Sequence, residues 1–388
     1  MLLAVTPYGT AGGFMSSREQ TPLRFLARTL IVLFSALLLL LIFAYGIMWI
    51  LTRGPSPTAR RLFVLSVKET SAGGFLADLY LTEDEIAAIL SAEVHEDTRQ
   101  TDPSLISLPH KEHKEGSVET PPDTGAEPDS AEPAETAASE NAAHDTAVPE
   151  ETSAAASDSG IEILEVKGQT YYGKLMIVSD PTRVFVGIPD GYGEGCSGLT
   201  VASMIQKYGC VAGTNAGGFY DPNGQGTGGI PDGIVIYNGE LKWGSPSSSY
   251  SIAGLDADGL LHVGTMTAQH ALDIGIRYAA SYGPALVVNG VIAGGKSGLG
   301  GGLNPRTAIG QRADGAILLL VINGRSIDSL GATLDDTASV MLEHGAINAT
   351  NLDGGSSSIM IHNGEYLTNS AYVFGERVVA TAILVKAS

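Results

Sequence analysis

The residues with most capacity for chemistry lie near the C-terminal end, in Asn351-Leu352-Asp353-Gly354-Gly355-Ser356-Ser357-Ser358. A carboxylate is followed there by two glycines and three hydroxyls. Glycine opens backbone conformations closed to other residues, so neighbouring N–H groups can converge on an anion. Serine hydroxyls add donors and acceptors beside them. Asp353 is therefore a candidate general acid, general base or nucleophile. Gly354, Gly355 and Ser356 are candidate substrate contacts. A capped structural turn would use the same residue types, and this segment alone does not choose between the two.

Other segments add complementary groups. Gly213-Thr214-Asn215-Ala216-Gly217-Gly218-Phe219-Tyr220-Asp221 follows the short apolar run Val211-Ala212. It offers Asn215, Gly217 and Gly218 to a sugar hydroxyl or a phosphate oxygen. Gly300-Gly301-Gly302-Leu303-Asn304-Pro305-Arg306-Thr307-Ala308-Ile309-Gly310 carries a guanidinium just after a proline that holds Asn304 extended. Arg306 can grip a phosphate or carboxylate through two parallel hydrogen bonds, or serve as a structural clamp. Gly375-Glu376-Arg377 supplies a second carboxylate and a second guanidinium. Asp232, in Gly229-Ile230-Pro231-Asp232-Gly233, is a turn residue or a further polar contact.

Familiar alternatives fail. There is no Gly-x-Ser-x-Gly elbow and no His-Glu-x-x-His, and His262, His270, His344 and His362 lack ligand spacing. Asp221-Pro222-Asn223-Gly224 superficially matches a calcium loop, but the proline and the missing distal Glu spoil it. No metal ligands and no cofactor are assigned, although loop carboxylates and carbonyls leave room for a structural divalent cation.

Such loops need a rigid frame. Four apolar runs end in Asn-Gly, at Asn238-Gly239, Asn289-Gly290, Asn323-Gly324 and Asn363-Gly364. That dipeptide supplies the two positive-φ residues of a type I′ hairpin. The spacing between them is irregular, which argues against a solenoid or propeller. Helical periodicity occurs over Thr200–Tyr208 and Thr333–His344. The fold class expected is α+β: a strand-rich domain of mixed sheets with several antiparallel hairpins and a few packed helices, spanning 161–388.

The preceding chain is of a different kind. Leu30 to Leu51 is apolar and uncharged, long enough for a bilayer that needs about 20 such residues. Trp49 suits a membrane interface. A cleaved secretory signal usually has a shorter apolar core and a small-residue cleavage site. We read 1–29 as a short cytoplasmic tail, 30–52 as a single transmembrane helix and 53–96 as a juxtamembrane segment. Within the last, Leu62-Phe63-Val64-Leu65-Ser66-Val67 reads as extended, and Thr82 with Glu85 forms a capping box opening a short helix.

Residues 97–160 read as a disordered acidic linker. They lack Lys, Arg and aromatic residues between Lys114 and Lys167, and cannot bury enough apolar surface to fold. This stretch carries much of the formal charge of −20. No basic patch compensates, which excludes nucleic acid as a partner. Cys196 and Cys210 flank a helix of about ten residues, roughly 15 Å long. A disulfide needs Cα atoms within about 7 Å, so no bridge is expected.

Taken together, the segments Ala212–Phe219, Asn304–Gly310, Asn351–Ser356 and Gly375–Arg377 resemble the phosphodiester glycosidase family, in that family's order. Its members include an animal lysosomal uncovering enzyme and bacterial exopolysaccharide-biosynthesis-like proteins. The sequence departs from the family at Ala216 and Ser356, where glycine is common. The resemblance implies a hydrolase that cleaves a sugar-1-phosphodiester, such as N-acetylglucosamine linked through phosphate to a glycan or cell-envelope polymer. It implies Asp353, Arg306, Asn215 and Glu376 as catalytic residues. Gly217, Gly218, Asp232, Gly354, Gly355, Ser356 and Arg377 would hold the substrate. The expected location is the cell membrane, single-pass, with the C-terminal domain extracellular. Two readings compete: a non-catalytic glycan-phosphate-binding module in exopolysaccharide or cell-envelope assembly, and a membrane-anchored sensor.

Overall fold

The computed structural model describes residues 20–70, 73–91, 99–109, 160–293, 301–372 and 375–388. Most of the acidic linker lies outside the described residues, as do the first nineteen residues of the tail.

Helix α1 (Gln20–Arg53) leads into α2 (Pro57–Lys68), α3 (Phe75–Asp78) and α4 (Glu83–Leu90). Arg24–Arg53 of α1 is 30 residues long, or roughly 45 Å, enough to cross a bilayer. Its large apolar side chains, from Phe25 to Ile50, face outward. Membrane anchors and signal sequences share that length and composition. Leu62–Val67, expected to be extended, is helical inside α2. Ser56 caps that helix through the Ala59 N–H, and Pro57 pre-sets its first turn. Val64 packs with Ala77, Leu81 and Ile86 in a small cluster. Capping and packing there outweigh β propensity. The Thr82–Glu85 capping box forms at the start of α4 as expected.

The C-terminal domain begins with β1 (Ile161–Lys167), β2 (Tyr172–Val178), β3 (Val184–Gly187), α5 (Val201–Tyr208) and β4 (Cys210–Asn215). There follow β5 (Val235–Tyr237), β6 (Glu240–Trp243), β7 (Ser249–Asp256), β8 (Leu261–Thr267), α6 (Ala268–Asp273) and β9 (Ile276–Ser281). Then come β10 (Ala285–Val288), β11 (Val291–Ile292), β12 (Arg306–Arg312), β13 (Ile317–Ile322) and α7 (Leu334–Glu343). The chain ends with β14 (Ala346–Leu352), β15 (Met360–His362), β16 (Glu365–Tyr366) and β17 (Ala382–Lys386).

These strands form a seven-stranded sheet, β1-β2-β13-β12-β14-β10-β11, and two five-stranded sheets, β16-β15-β4-β17-β3 and β6-β5-β9-β7-β8. Strand β13 shows why they stack. Its Ile317, Leu319 and Val321 point into a cluster that draws on all three sheets. Its Leu318, Leu320 and Ile322 face the opposite side, under Leu334, Ala338 and Met341 of α7. A strand buried on both faces reads as a continuous apolar run rather than an alternating one. Helices α5 and α6 cover the other two sheets in the same way. Thr333 opens α7 with a capping box to Asp336. The chain touches this domain before residue 160: Ile106 and Leu108 pack on Leu260, and Asp102 N–H donates to Asn289 Oδ1 at 2.8 Å.

Three of the four Asn-Gly pairs make the expected hairpins, with positive φ at Asn238, Asn289 and Asn363 and at the glycine after each. The fourth does not. Past Asn323 the positive-φ residue is Arg325 (φ 58°), and the chain enters a loop rather than a returning strand. That loop feeds the functional site. Cys196 and Cys210 are unbridged.

The paired burial of β13 gives a direct test. Leu319→Ala should destabilise the domain by about 2–5 kcal/mol, measured as a lowered denaturant midpoint with an unchanged slope.

Candidate active site

Strand register gathers the chemistry. Strand β12 runs antiparallel to β14, with Thr307 opposite Leu352, so Arg306 and Asp353 emerge side by side. Strand β13 is antiparallel to β12 on its other flank, with Ile322 opposite Arg306. The loop after β13 therefore also starts there and carries Arg325. In the second sheet, Asn215 pairs with Ala382, which places the end of β4 beside the entry to β17. The result is one polar cavity of about 610 Å³, bordered by Gly218, Asp232, Tyr282, Arg306, Arg325, Asp353, Gly354, Gly355, Ser356 and Arg377.

Asn215 lies behind this cavity and is fully buried. Its Nδ2 donates to the Asp353 carbonyl at 2.5 Å. Its Oδ1 accepts from Thr307 Oγ1 at 3.0 Å and from the Ile359 N–H at 3.2 Å. One carboxamide thus ties β4, β12 and the Asp353 loop together. The Asp353 N–H donates back to the Ala216 carbonyl at 2.8 Å. Gly217 is also behind the wall, its N–H donating to Thr381 Oγ1 at 2.8 Å.

The glycines at the surface of the cavity are there for space. A Cβ on Gly218 would stand 2.8 Å from the Tyr282 ring, and one on Gly354 would stand 2.8 Å from the Pro305 carbonyl oxygen. Gly355 has φ 60°, a left-handed backbone that favours glycine, and its open side faces the Arg325 guanidinium.

The charges are closely coupled. Burial pushes the Asp353 carboxyl up to about 6. The Ser357 hydroxyl and the Arg377 guanidinium pull it down, while the Asp221 charge pushes it up again. Burial, then the Asp221 charge, also raises Asp232. The Asp353 charge and burial raise the Tyr282 phenol. Burial and the Arg306 charge lower Arg325. Arg377 donates to Ser356 Oγ at 3.0 Å and to Asp221 Oδ1, and lies 4.9 Å over the Phe219 ring. Arg306 donates to the Ala332 carbonyl, the Gly302 carbonyl and Glu69.

Of the residues selected from sequence, eight border the cavity: Gly218, Asp232, Arg306, Asp353, Gly354, Gly355, Ser356 and Arg377. Glu376 does not. Its carboxylate accepts from the Ala202 N–H at 3.0 Å and from the Tyr366 hydroxyl at 2.9 Å. The residues at the cavity that were not selected include Glu69, Asp221, Tyr282 and Arg325. Asp221 ends a segment already marked as polar and glycine-rich. Arg325 was concealed by reading Asn323-Gly324 as a hairpin. Tyr282 and Glu69 sit in no motif. No cluster of His, Cys, Asp or Glu suited to a metal ion occurs among the described residues.

Residues 208–386 match the family model for phosphodiester glycosidases. A 66-residue stretch is 47% identical to the SPbeta prophage-derived uncharacterized protein YomE of Bacillus subtilis (strain 168), covering 17% of this chain and 10% of that one. Mouse N-acetylglucosamine-1-phosphodiester alpha-N-acetylglucosaminidase is 26% identical over 218 residues, 51% of this chain and 41% of the mouse protein. The chain thus spans less than half the length of either relative. The solved zebrafish enzyme of the same name, its catalytic domain auto-inhibited by pro-peptide, has a TM-score of 0.49 and 23% identity, covering 59% of this chain and 82% of that one.

The raised Asp353 carboxyl has a consequence for stability. Its folded value of about 6 lies above its ordinary 3.8, so the folded state holds this proton more tightly than the unfolded one. The stabilisation is complete below 3.8 and is lost as pH rises through about 6. The melting temperature of wild type relative to Asp353→Asn should therefore decline over that window.

Proposed function

We propose, from the premise that residues 208–386 belong to the phosphodiester glycosidase family, that this chain hydrolyses a sugar-1-phosphodiester in the cavity at Asp353. The observation that carries the reading is the Asp353 carboxyl, raised to about 6, with three guanidinium groups, Arg306, Arg325 and Arg377, around one cavity. A phosphodiester bears a negative charge that arginine recognises through paired hydrogen bonds. When the C–O bond to the sugar breaks, charge builds on the departing phosphate. Fixed cations aimed at that charge stabilise the transition state more than the ground state. Phosphate is already a weakly basic leaving group, so the arginines take the place of a proton donor.

Asp353 then has one of two jobs that share a geometry: activating water, or stabilising an oxocarbenium-like sugar. Glu376 is not given that job, because its carboxylate is engaged by Ala202 and Tyr366 away from the cavity. Asn215 holds the backbone of Asp353 in place. Gly218, with Tyr282 laid against it, and Asp232 offer a face and a polar edge to the sugar. N-acetylglucosamine is the sugar we propose, by similarity to the mouse N-acetylglucosamine-1-phosphodiester alpha-N-acetylglucosaminidase. We further propose that α1 anchors the chain in a membrane, with the C-terminal domain on the outer side. The outward-facing apolar surface of α1 supports the anchor.

Turnover of an N-acetylglucosamine-1-phosphodiester should fall by roughly 100-fold or more in Asp353→Asn and in Arg377→Ala. Hydrolysis in oxygen-18 water should put the label in the sugar; label in the phosphate would rule out C–O cleavage. With Asp353 as base, kcat/KM should rise with pH along a limb near 6. Tight binding without turnover across a substrate panel would instead identify a glycan-phosphate-binding module.

A further inference from the structure

Glu69 stands at the cavity although it lies outside residues 208–386. It is the C-cap residue of α2. Its Oε1 accepts from the Gly302 N–H at 3.0 Å. Its Oε2 accepts from Asn304 Nδ2 and from Arg306 Nη2, both at 2.8 Å. The side chains of Arg306 and Glu69 are only 8% and 10% exposed. On either side, Ser66 Oγ accepts from the Leu303 N–H at 2.8 Å, and Thr70 Oγ1 accepts from Arg325 Nη2 at 3.2 Å.

These partners of the Glu69 carboxylate are a backbone amide, a carboxamide and a guanidinium. All are donors, and together they make the kind of set that recognises an oxyanion. A carboxylate is the side-chain group nearest to a phosphate in charge and acceptor geometry. A purely structural clamp on Arg306 would be redundant. Arg306 is already fixed by its Nε bond to the Ala332 carbonyl at 2.9 Å and its Nη2 bond to the Gly302 carbonyl at 2.7 Å. The apolar cluster that includes Val64 of α2 is, moreover, made with α3, α4 and the turn between them and contains no residue of the C-terminal domain. The backbone at Leu65–Ser66 lies against Gly302, and the Glu69 carboxylate bonds are polar ones that another anion can replace.

We propose that Glu69 is the resident occupant of a phosphate subsite formed by Gly302, Asn304 and Arg306, and that a phosphate-bearing ligand takes this seat by displacing residues 66–70. The proposal deepens the reading of the cavity as a phosphodiester site. The ligand competes with an internal anion, so its apparent affinity is reduced by the fraction of molecules in which the seat is open. Neutralising Glu69 removes that competition.

The experiment uses the full chain in detergent micelles with inorganic phosphate as the probe. Binding is followed by calorimetry, and hydrogen exchange is read over residues 57–70 and 301–306. Phosphate should bind Glu69→Gln and Glu69→Ala at least about tenfold more tightly than wild type, the ratio expected when a closed seat is open in a tenth of molecules or fewer. In wild type, phosphate should speed exchange over 57–70 and slow it over 301–306. Arg306→Ala should abolish binding in every background. Equal or weaker phosphate binding by the Glu69 variants, or unchanged exchange over 57–70 in phosphate-saturated wild type, overturns the proposal. A loss of kcat in Glu69→Gln with unchanged KM overturns it too, since Glu69 would then position the catalytic groups. The phosphate arm separates the two readings: tighter binding without sugar-phosphodiester turnover keeps the subsite and removes the hydrolase. Turnover with phosphate affinity indifferent to Glu69 does the reverse.

Discussion

The site depends on one buried carboxamide. Asn215 ends β4 with no surface exposed, and beyond its own strand its carboxamide bonds to the Asp353 carbonyl, the Thr307 hydroxyl and the Ile359 N–H. Thr307 belongs to the seven-stranded sheet, Asp353 and Ile359 to the loop between β14 and β15, and Asn215 itself to the second sheet. A buried amide with an unpaired donor or acceptor costs about 1–3 kcal/mol, so the three segments are held to a single mutual arrangement. The Asp353 carboxyl, the glycine turn after it and the Arg306 guanidinium inherit their positions from that arrangement.

Electrostatics then follows from placement. Asp353 is enclosed near Arg377 and Asp221, whose charges act on it in opposite directions, and burial decides the outcome as an upward shift. Arg306 and Arg377 each face a carboxylate in this structure, Glu69 and Asp221 respectively. The cavity therefore combines strong cationic groups with internal anions, an arrangement that screens the arginines from one another. Arg325 carries both a non-glycine φ of 58° and a guanidinium lowered by burial and by the Arg306 charge.

Much of this was legible in the residues. The hairpins at Asn238, Asn289 and Asn363, the capped helices at Thr200 and Thr333, and the glycine-rich segments bordering the cavity all carry local signals. Where reading failed, a longer-range contact had overridden a local preference. The β-rich run Leu62–Val67 became helical because Ser56 caps it and Val64 packs against α3 and α4. Asn323-Gly324 did not turn back because Asn323 instead accepts from the Asn369 N–H, and Gly324 lies against Pro305.

By itself the sequence determined the polar inventory, the strand-rich α+β class and the apolar helix before it, because each is a property of neighbours along the chain. Only the tertiary structure decided which polar residues share a cavity. It brought Arg325, Tyr282 and Glu69 to Asp353 and turned Glu376 away toward α5. The reason is register: pairing Thr307 with Leu352 and Ile322 with Arg306 sets which loops open on the same edge. A shift by one residue would send those side chains to opposite faces.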